Sequence, residues 1–144
     1  EFGMSPARAG TDPRPIALGL GCDRGTPAST IVRAIDEALT ACRASLADVR
    51  AVASIDLKAD EVGLLHVAAT NGWQIRFYAA SELARVDVPN PSETVRRYTG
   101  TPSVSEAAAL LAAGAGKNHL LIEKHKAQGL DGRNATVSIA RIAQ

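Results

Sequence analysis

The chain has 144 residues, 46% of them hydrophobic and 22% charged, a composition typical of one globular domain rather than of a disordered or fibrous segment. Its formal net charge is only +1, its basic residues are scattered and 3% of its residues are aromatic, which argues against the basic surface or the stacking platform of a nucleic-acid-binding protein. No apolar run approaches the length of a membrane span. From the charge and aromatic content we expect no nucleic-acid partner, and from the short apolar runs no membrane partner.

The first residues are predicted to lie outside the folded domain. Residues 1–3 precede the first methionine, Met4, and read as a cloning remnant. Residues 5–14 are a Pro/Ala/Arg/Gly tail without the apolar segment of a signal peptide. We therefore expect a flexible tail over residues 1–14 and a single domain over residues 15–144.

The rest of the chain alternates between short apolar runs and segments of helical periodicity. The predicted elements are, in chain order, a strand over Pro15–Leu20, a helix over Ala28–Cys42, a strand over Val49–Ile55, a helix over Glu61–Gly72, a strand over Gln74–Ala79, short helices near Ser81–Arg85 and Glu93–Tyr98, a helix over Ser103–Ala113, and strands over His119–Glu123 and Ala135–Ile142. This alternation predicts right-handed βαβ units and a three-layer α/β/α fold with a mostly parallel, five-stranded mixed sheet. The turn "GLDGRN" predicts that the sheet ends in an antiparallel hairpin.

Polar segments follow the predicted strands, at the carboxyl ends where parallel sheets bind their ligands. They are "GCDRGT" after the first strand, "LKADE" after the second, "PNPS" and "GTPS" after the third, and "KHK" after the fourth. We expect these segments to lie along one edge of the sheet.

Three of these segments place a capping side chain before a proline, namely Thr26, Asn90 and Thr101. The spacings of Asn90 with Glu93, and of Ser103 with Glu106, predict capping boxes. Helix N-termini that converge on one edge would attract an anion, but a capped helix start can also bind only water.

Charged residues near this edge have two interpretations. Arg24 and Lys58 could add positive charge for an anion, whereas Arg24 could instead pair with Asp23, Asp60 or Glu61 and only join two loops. Asp60 is predicted to cap the second helix, with Glu61 in its first turn, although the two carboxylates could also act as a general acid and base.

The glycines and the cysteine of the first loop leave two further alternatives open. Gly19-x-Gly21-x-x-x-Gly25, with Asp56 as a ribose ligand, is a weak variant of the dinucleotide fingerprint. Cys22 near a helix N-terminus could be a nucleophile, but we favour a small residue packed in a turn.

Cysteine and histidine spacing argues against a bound metal. Cys22 and Cys42 lack CxxC spacing, which favours reduced thiols in a cytoplasmic protein. No HExxH or paired Cys/His motif occurs, so we expect no metal site and no cofactor.

The motifs together resemble a known family. "GLGCDRGT", "IDLKADEVGLLHVAATNGWQIRFYAASEL" and "VPNPSETVRRYTGTPSVSEAAALLAAG" occur in the order found in the CobE/CbiG C-terminal domain family of cobalamin biosynthesis, and the resemblance covers nearly all of residues 15–142. The length is similar to that of the stand-alone members. The resemblance implies a cytoplasmic α/β/α domain that acts on or holds a corrin-ring precursor, a precorrin-type tetrapyrrole rich in carboxylates, with other cobalamin-pathway enzymes as further candidate partners.

A binding or carrier role is favoured over a hydrolase-type step on a precorrin, because the resemblance reaches only the C-terminal part of the larger hydrolases. A nucleotide-binding domain is the third, least favoured hypothesis. The candidate catalytic residues are Cys22, Asp60 and Glu61. The candidate ligand-binding residues are Gly21, Cys22, Arg24, Gly25, Thr26, Lys58, Glu61, Asn90, Ser92, Gly100, Thr101, Ser103 and Glu106.

Overall fold

The computed structural model describes residues 15–143, so the predicted tail over residues 1–14 lies outside the described residues. Its elements are β1 (Ile16–Cys22), α1 (Ala28–Ala41), β2 (Val49–Ile55), α2 (Val62–Asn71), β3 (Ile75–Tyr78), α3 (Ala80–Leu83), α4 (Glu93–Thr99), α5 (Val104–Ala113), β4 (Leu120–Gln128) and β5 (Asn134–Arg141). Over residues 15–143, no helix has the length and apolar character that a membrane crossing requires.

The five strands form one mixed sheet in the order β3-β2-β1-β5-β4. β1, β2 and β3 are parallel, and β5 lies between β1 and β4 antiparallel to both. β4 therefore runs in the same direction as β1, and the register pairs Cys22 with Ala135 and Gln128 with Asn134. The predicted α/β fold is confirmed, and the carboxyl ends of β1 to β4 meet at one edge of the sheet.

β4 is longer than predicted. The segment "KHK", Lys124 to Lys126, was expected to follow the fourth strand, and this prediction is wrong because β4 continues to Gln128. β4 is an edge strand, and edge strands commonly carry charged side chains that also suit a loop. Because the segment after Glu123 is polar, the predicted fourth strand ended there instead of at Gln128.

One face of the sheet is covered by α1 and α2. Alternate residues of β1, such as Leu18 and Leu20, belong to the same continuous apolar core as Ile31 and Ile35 of α1 and Leu64 of α2. These large side chains are fully buried, and their burial is the main source of the stability of this layer.

The other face is built from small residues, which let α5 lie close to the strands. Ala17 of β1 and Ala140 of β5 pack against Ala109 and Ala113 of α5. A Cβ atom on Gly19 would overlap the carbonyl oxygen of Ser105 and lie 2.6 Å from the backbone nitrogen of Ala109. This close approach fixes the N-terminus of α5 beside the carboxyl ends of the strands.

Candidate functional site

A cleft of about 560 Å³ opens at the carboxyl edge of the sheet, between the β1–α1 loop, α4, the start of α5 and the second half of β4. Its lining residues are Gly21, Cys22, Asp23, Arg24, Ile55, Lys58, Ser92, Thr94, Val95, Tyr98, Thr99, Ser103, Val104, Ser105, Lys124, Lys126, Asn134 and Thr136. Six of the predicted ligand-binding residues lie on its wall: Gly21, Cys22, Arg24, Lys58, Ser92 and Ser103. The fold thus brings together loops that are far apart in the chain.

The wall of the cleft is positively charged. Four cationic side chains line it, namely Arg24, Lys58, Lys124 and Lys126. Among the described residues, Asp23 is the one acidic residue on this wall. The Asp23 carboxylate accepts hydrogen bonds from the backbone N–H (2.7 Å) and the side-chain amide (3.2 Å) of Asn134. Since Arg24 pairs with Asp60 and Glu61, the positive charge that the cleft offers to a ligand comes from Lys58, Lys124 and Lys126.

The sequence placed the "KHK" segment at this edge of the sheet, but Lys124 and Lys126 were not among the predicted ligand-binding residues. Side chains two residues apart in a strand lie on the same face. His125, between the lysines, faces α1 instead, where its Nε2 lies 2.7 Å from Glu37 Oε1. The period-two spacing of "KHK" would have indicated a shared face had the segment been assigned to a strand.

Arg24 joins the β1–α1 loop to the β2–α2 loop. Its guanidinium donates hydrogen bonds to Asp60 Oδ1 and to the Leu57 carbonyl oxygen, both at 2.9 Å, and lies 3.0 Å from Glu61 Oε1. This is the loop-joining alternative of the sequence analysis. A contribution of Arg24 to ligand binding stays a prediction.

Glu61 is a buried carboxylate that holds the β1–α1 loop in place. Its side chain is only 4% exposed, and Oε2 accepts a hydrogen bond of 3.0 Å from the Gly25 N–H. Asp60 was predicted to cap α2, which is wrong, because Glu61 occupies the N-cap position and Asp60 turns to Arg24. The hydrogen bond and charge of Arg24 lower the pKa of the exposed Asp60 carboxyl.

The predicted caps of α1 and α4 are also wrong. Pro27 holds the N-cap position of α1, and the Thr26 hydroxyl instead donates to carbonyl oxygens at the strand ends, at 2.7 Å to Asp23. Ser92 rather than Asn90 caps α4 by accepting a hydrogen bond of 3.2 Å from the Val95 N–H. The Thr26 hydroxyl thus points back to Asp23, three residues earlier, and to the Asn134 carbonyl oxygen at 3.3 Å, instead of forward to the helix.

Asn90 and Glu106 bind each other, so the predicted capping boxes do not form. The buried Glu106 carboxylate accepts hydrogen bonds from the backbone N–H (3.2 Å) and the side-chain amide (2.6 Å) of Asn90. The amide also donates to Glu123 Oε1 at 3.0 Å. This pairing ties the "PNPS" loop to α5. Ser103, and not Thr101, holds the N-cap position of α5, and its side chain makes no capping bond.

The remaining predicted ligand-binding residues lie behind the cleft wall. Gly25, Thr26, Glu61, Asn90, Gly100, Thr101 and Glu106 do not line the cleft. Gly100 ends α4 with a φ of 85°, and Thr101 is fully buried. These residues shape the loops that form the cleft, and direct ligand contacts by them stay predictions.

The Cys22 thiol lies at the end of β1, where burial raises its pKa to about 11. The thiol is therefore protonated at neutral pH, whereas a nucleophilic cysteine is a thiolate. The geometry favours the packing interpretation. Across residues 15–143, no group of three or more His, Cys, Asp and Glu side chains is arranged to hold a metal ion.

Alkylation tests the state of this thiol. In a Cys42→Ala background, we expect Cys22 to react with iodoacetamide at pH 8 at least about tenfold more slowly than a free thiol, because a pKa of about 11 leaves little thiolate. The rate should keep rising with pH beyond 9. A rate that levels off near neutral pH would instead identify a reactive thiolate.

Residues 16–140 match the family model of the cobalamin synthesis G C-terminus. The chain belongs to this family. The resemblance predicted from its motifs is confirmed, and the family places the chain in cobalamin biosynthesis.

Named relatives of this cobalamin synthesis G C-terminus domain are of two lengths. This chain is 37% identical over 127 residues to Protein CobE of Sinorhizobium sp, and the match covers 87% of this chain and 79% of that protein. It is 40% identical over 130 residues to a cobalt-precorrin-5A hydrolase of Priestia megaterium, covering 90% of this chain but only 33% of the hydrolase. The crystal structure of CobE, a protein of the cobalamin pathway, superposes with a TM-score of 0.72 and 34% identity over 91% of this chain and 92% of that one. The family domain thus occurs alone and as about a third of a larger hydrolase.

Proposed function

We propose that this domain binds or carries a carboxylate-rich corrin-ring precursor in the cleft at the carboxyl edge of the sheet. The observation that carries the proposal is the set of three lysines, Lys58, Lys124 and Lys126, on the wall of a cleft of about 560 Å³ whose fourth cation, Arg24, is paired with Asp60 and Glu61. That volume lies within the usual range of ligand sites. Membership in a cobalamin-biosynthesis family supports a ligand from that pathway.

The cleft offers both kinds of contact that such a ligand needs. Val95, Val104 and the exposed ring of Tyr98 supply apolar surface for a macrocycle. The lysines supply charge for acetate and propionate carboxylates at its rim. The side-chain ammonium groups of Lys58 and Lys126 make no hydrogen bond or ion pair within residues 15–143, so both remain free to bind a ligand carboxylate.

Binding without catalysis agrees with the state of the candidate catalytic groups. The Cys22 thiol has a raised pKa, and both Asp60 and Glu61 are paired with Arg24. The chain spans 33% of the hydrolase from Priestia megaterium, so the reaction of that larger protein does not carry over. A carrier would deliver its ligand to other cobalamin-pathway enzymes. The two free cysteines are compatible with the reducing environment of the cytoplasm.

Titration with hydrogenobyrinic acid, a corrin that retains its carboxylates, tests the proposal. We expect a saturable change in its absorption spectrum and a rise in the melting temperature of the protein, because a ligand that binds the folded state stabilises it. The amidated corrinoid cobinamide should bind much more weakly. A rise with NAD(H), NADP(H) or ATP, with none for the corrins, would overturn the proposal in favour of nucleotide binding.

Replacing one free lysine should weaken this binding. We expect Lys126→Gln to raise the Kd for hydrogenobyrinic acid about tenfold, since it removes one charge-assisted contact. Lys117→Gln is the matched control, because Lys117 pairs with Asp87 (Nζ to Oδ2, 2.9 Å) and does not line the cleft. Equal affinities of the two variants would place the ligand elsewhere.

A further inference from the structure

Ser103 carries a buried hydroxyl that has no partner. The residue is 1% exposed, lies at the N-cap position of α5 and lines the cleft. Its Oγ makes no hydrogen bond with any described residue. Because a buried polar group without a partner is costly, such a group on a cleft wall points to a ligand atom that completes it.

The N-terminus of α5 is also left without a cap. The Ser103 side chain accepts no hydrogen bond from the first turn, and Glu106, at capping-box spacing, turns to Asn90 instead. The N–H groups of the first turn have no acceptor inside the helix. They add the positive end of the helix dipole to the cleft, which favours an anion.

Neighbouring groups define what this position can hold. Ser105 Oγ lies 2.8 Å from Ser138 Oγ, so of the two serine hydroxyls at the start of α5 only that of Ser103 is without a protein partner. Lys124 and Lys126 line the same cleft from β4. One hydroxyl donor, unpaired N–H groups and ammonium charge together match a carboxylate.

We infer that the N-terminus of α5 is a subsite for one carboxylate of the ligand. The Ser103 hydroxyl donates one hydrogen bond to it, the first-turn N–H groups donate to its other lone pairs, and Lys126 neutralises its charge. This subsite rests on the proposed function, and it states which wall of the cleft takes an acidic side chain of the corrin precursor.

A fragment titration detects the subsite without the whole ligand. With ¹⁵N-labelled protein, sodium propionate should shift the backbone amide resonances of Val104 and Ser105 more than those of α1 or α2, at constant pH and ionic strength. Inorganic phosphate is the second arm. Unmoved α5 amides, or a stronger response to phosphate than to propionate, would overturn the carboxylate assignment.

Variants at Ser103 test the subsite with the corrin. Ser103→Ala should raise the Kd for hydrogenobyrinic acid about tenfold by removing the donor. Ser103→Asp should raise it about a hundredfold, because its carboxylate occupies the subsite and repels the ligand, while the melting temperature is kept or raised since aspartate is a good N-cap. Ser81→Ala, in the exposed part of α3, is the control and should bind like the wild type.

The outcomes separate this inference from the proposed function. If propionate moves the α5 amides but hydrogenobyrinic acid does not bind, the subsite stands and the corrin assignment fails. If hydrogenobyrinic acid binds and both Ser103 variants keep its Kd within about threefold, the inference fails and the proposed function stands. Should Ser103→Asp not fold, Ser103→Ala decides, because it removes a single oxygen atom.

Discussion

Gly19→Ala is expected to destabilise the domain by about 3 kcal/mol or more, because the added methyl group has no room. Its Cβ would overlap the Ser105 carbonyl oxygen and lie 2.6 Å from the Ala109 nitrogen, both of them backbone atoms of α5. Backbone atoms cannot turn away as a flexible side chain can, so α5 would have to move off the sheet. Urea unfolding followed by circular dichroism measures the loss.

Gly116→Ala provides the matched control. Gly116 has a φ of −90°, which alanine adopts without strain, and nothing lies within 4 Å of the added Cβ. We expect its stability to be unchanged or to rise by about 0.5 kcal/mol through a less flexible unfolded chain. If Gly19→Ala unfolded at the same urea concentration as Gly116→Ala, the close packing of α5 on β1 would be refuted.

Glu61→Ala is expected to cost about 2 to 3 kcal/mol of stability. The substitution leaves the Gly25 N–H without its acceptor and removes the buried partner of Arg24, which lies 3.0 Å from Glu61 Oε1. The β1–α1 loop would lose its anchor, so binding of hydrogenobyrinic acid should weaken as well. Thermal unfolding and titration of the same preparation measure both effects.

Asp60→Ala separates this anchor from ordinary surface pairing. Asp60 also pairs with Arg24, but its side chain is 82% exposed, and exposed ion pairs contribute little. Its lowered pKa keeps it ionised at neutral pH, so its small stabilising effect is present there and disappears only as the solution becomes strongly acidic. A melting temperature lowered as much as in Glu61→Ala would mean that the pairing with Arg24, and not burial, holds the loop.

The sequence by itself determined the fold class and the family. The alternation of apolar runs with helical periodicity predicted β2 with its observed bounds and predicted the existence of all the remaining strands and helices. This works because the residues that an element buries recur with the period of that element, and the period can be read from a short stretch of sequence. The motifs also located six residues of the cleft wall, from Gly21 to Ser103, because loops after parallel strands must meet at one edge.

Only the tertiary structure decided which partner each polar group takes. The sequence offered the pair of Arg24 and Asp60, 36 residues apart, only as one of several alternatives. Asn90 and Glu106 are 16 residues apart, so capping rules that consider three residues could not foresee that pair. Lys124 and Lys126 line the cleft because pairing with β5 continues β4 through these residues. Hydrogen bonds and charges act between groups that folding brings together, whereas periodicity records only which side of an element is buried.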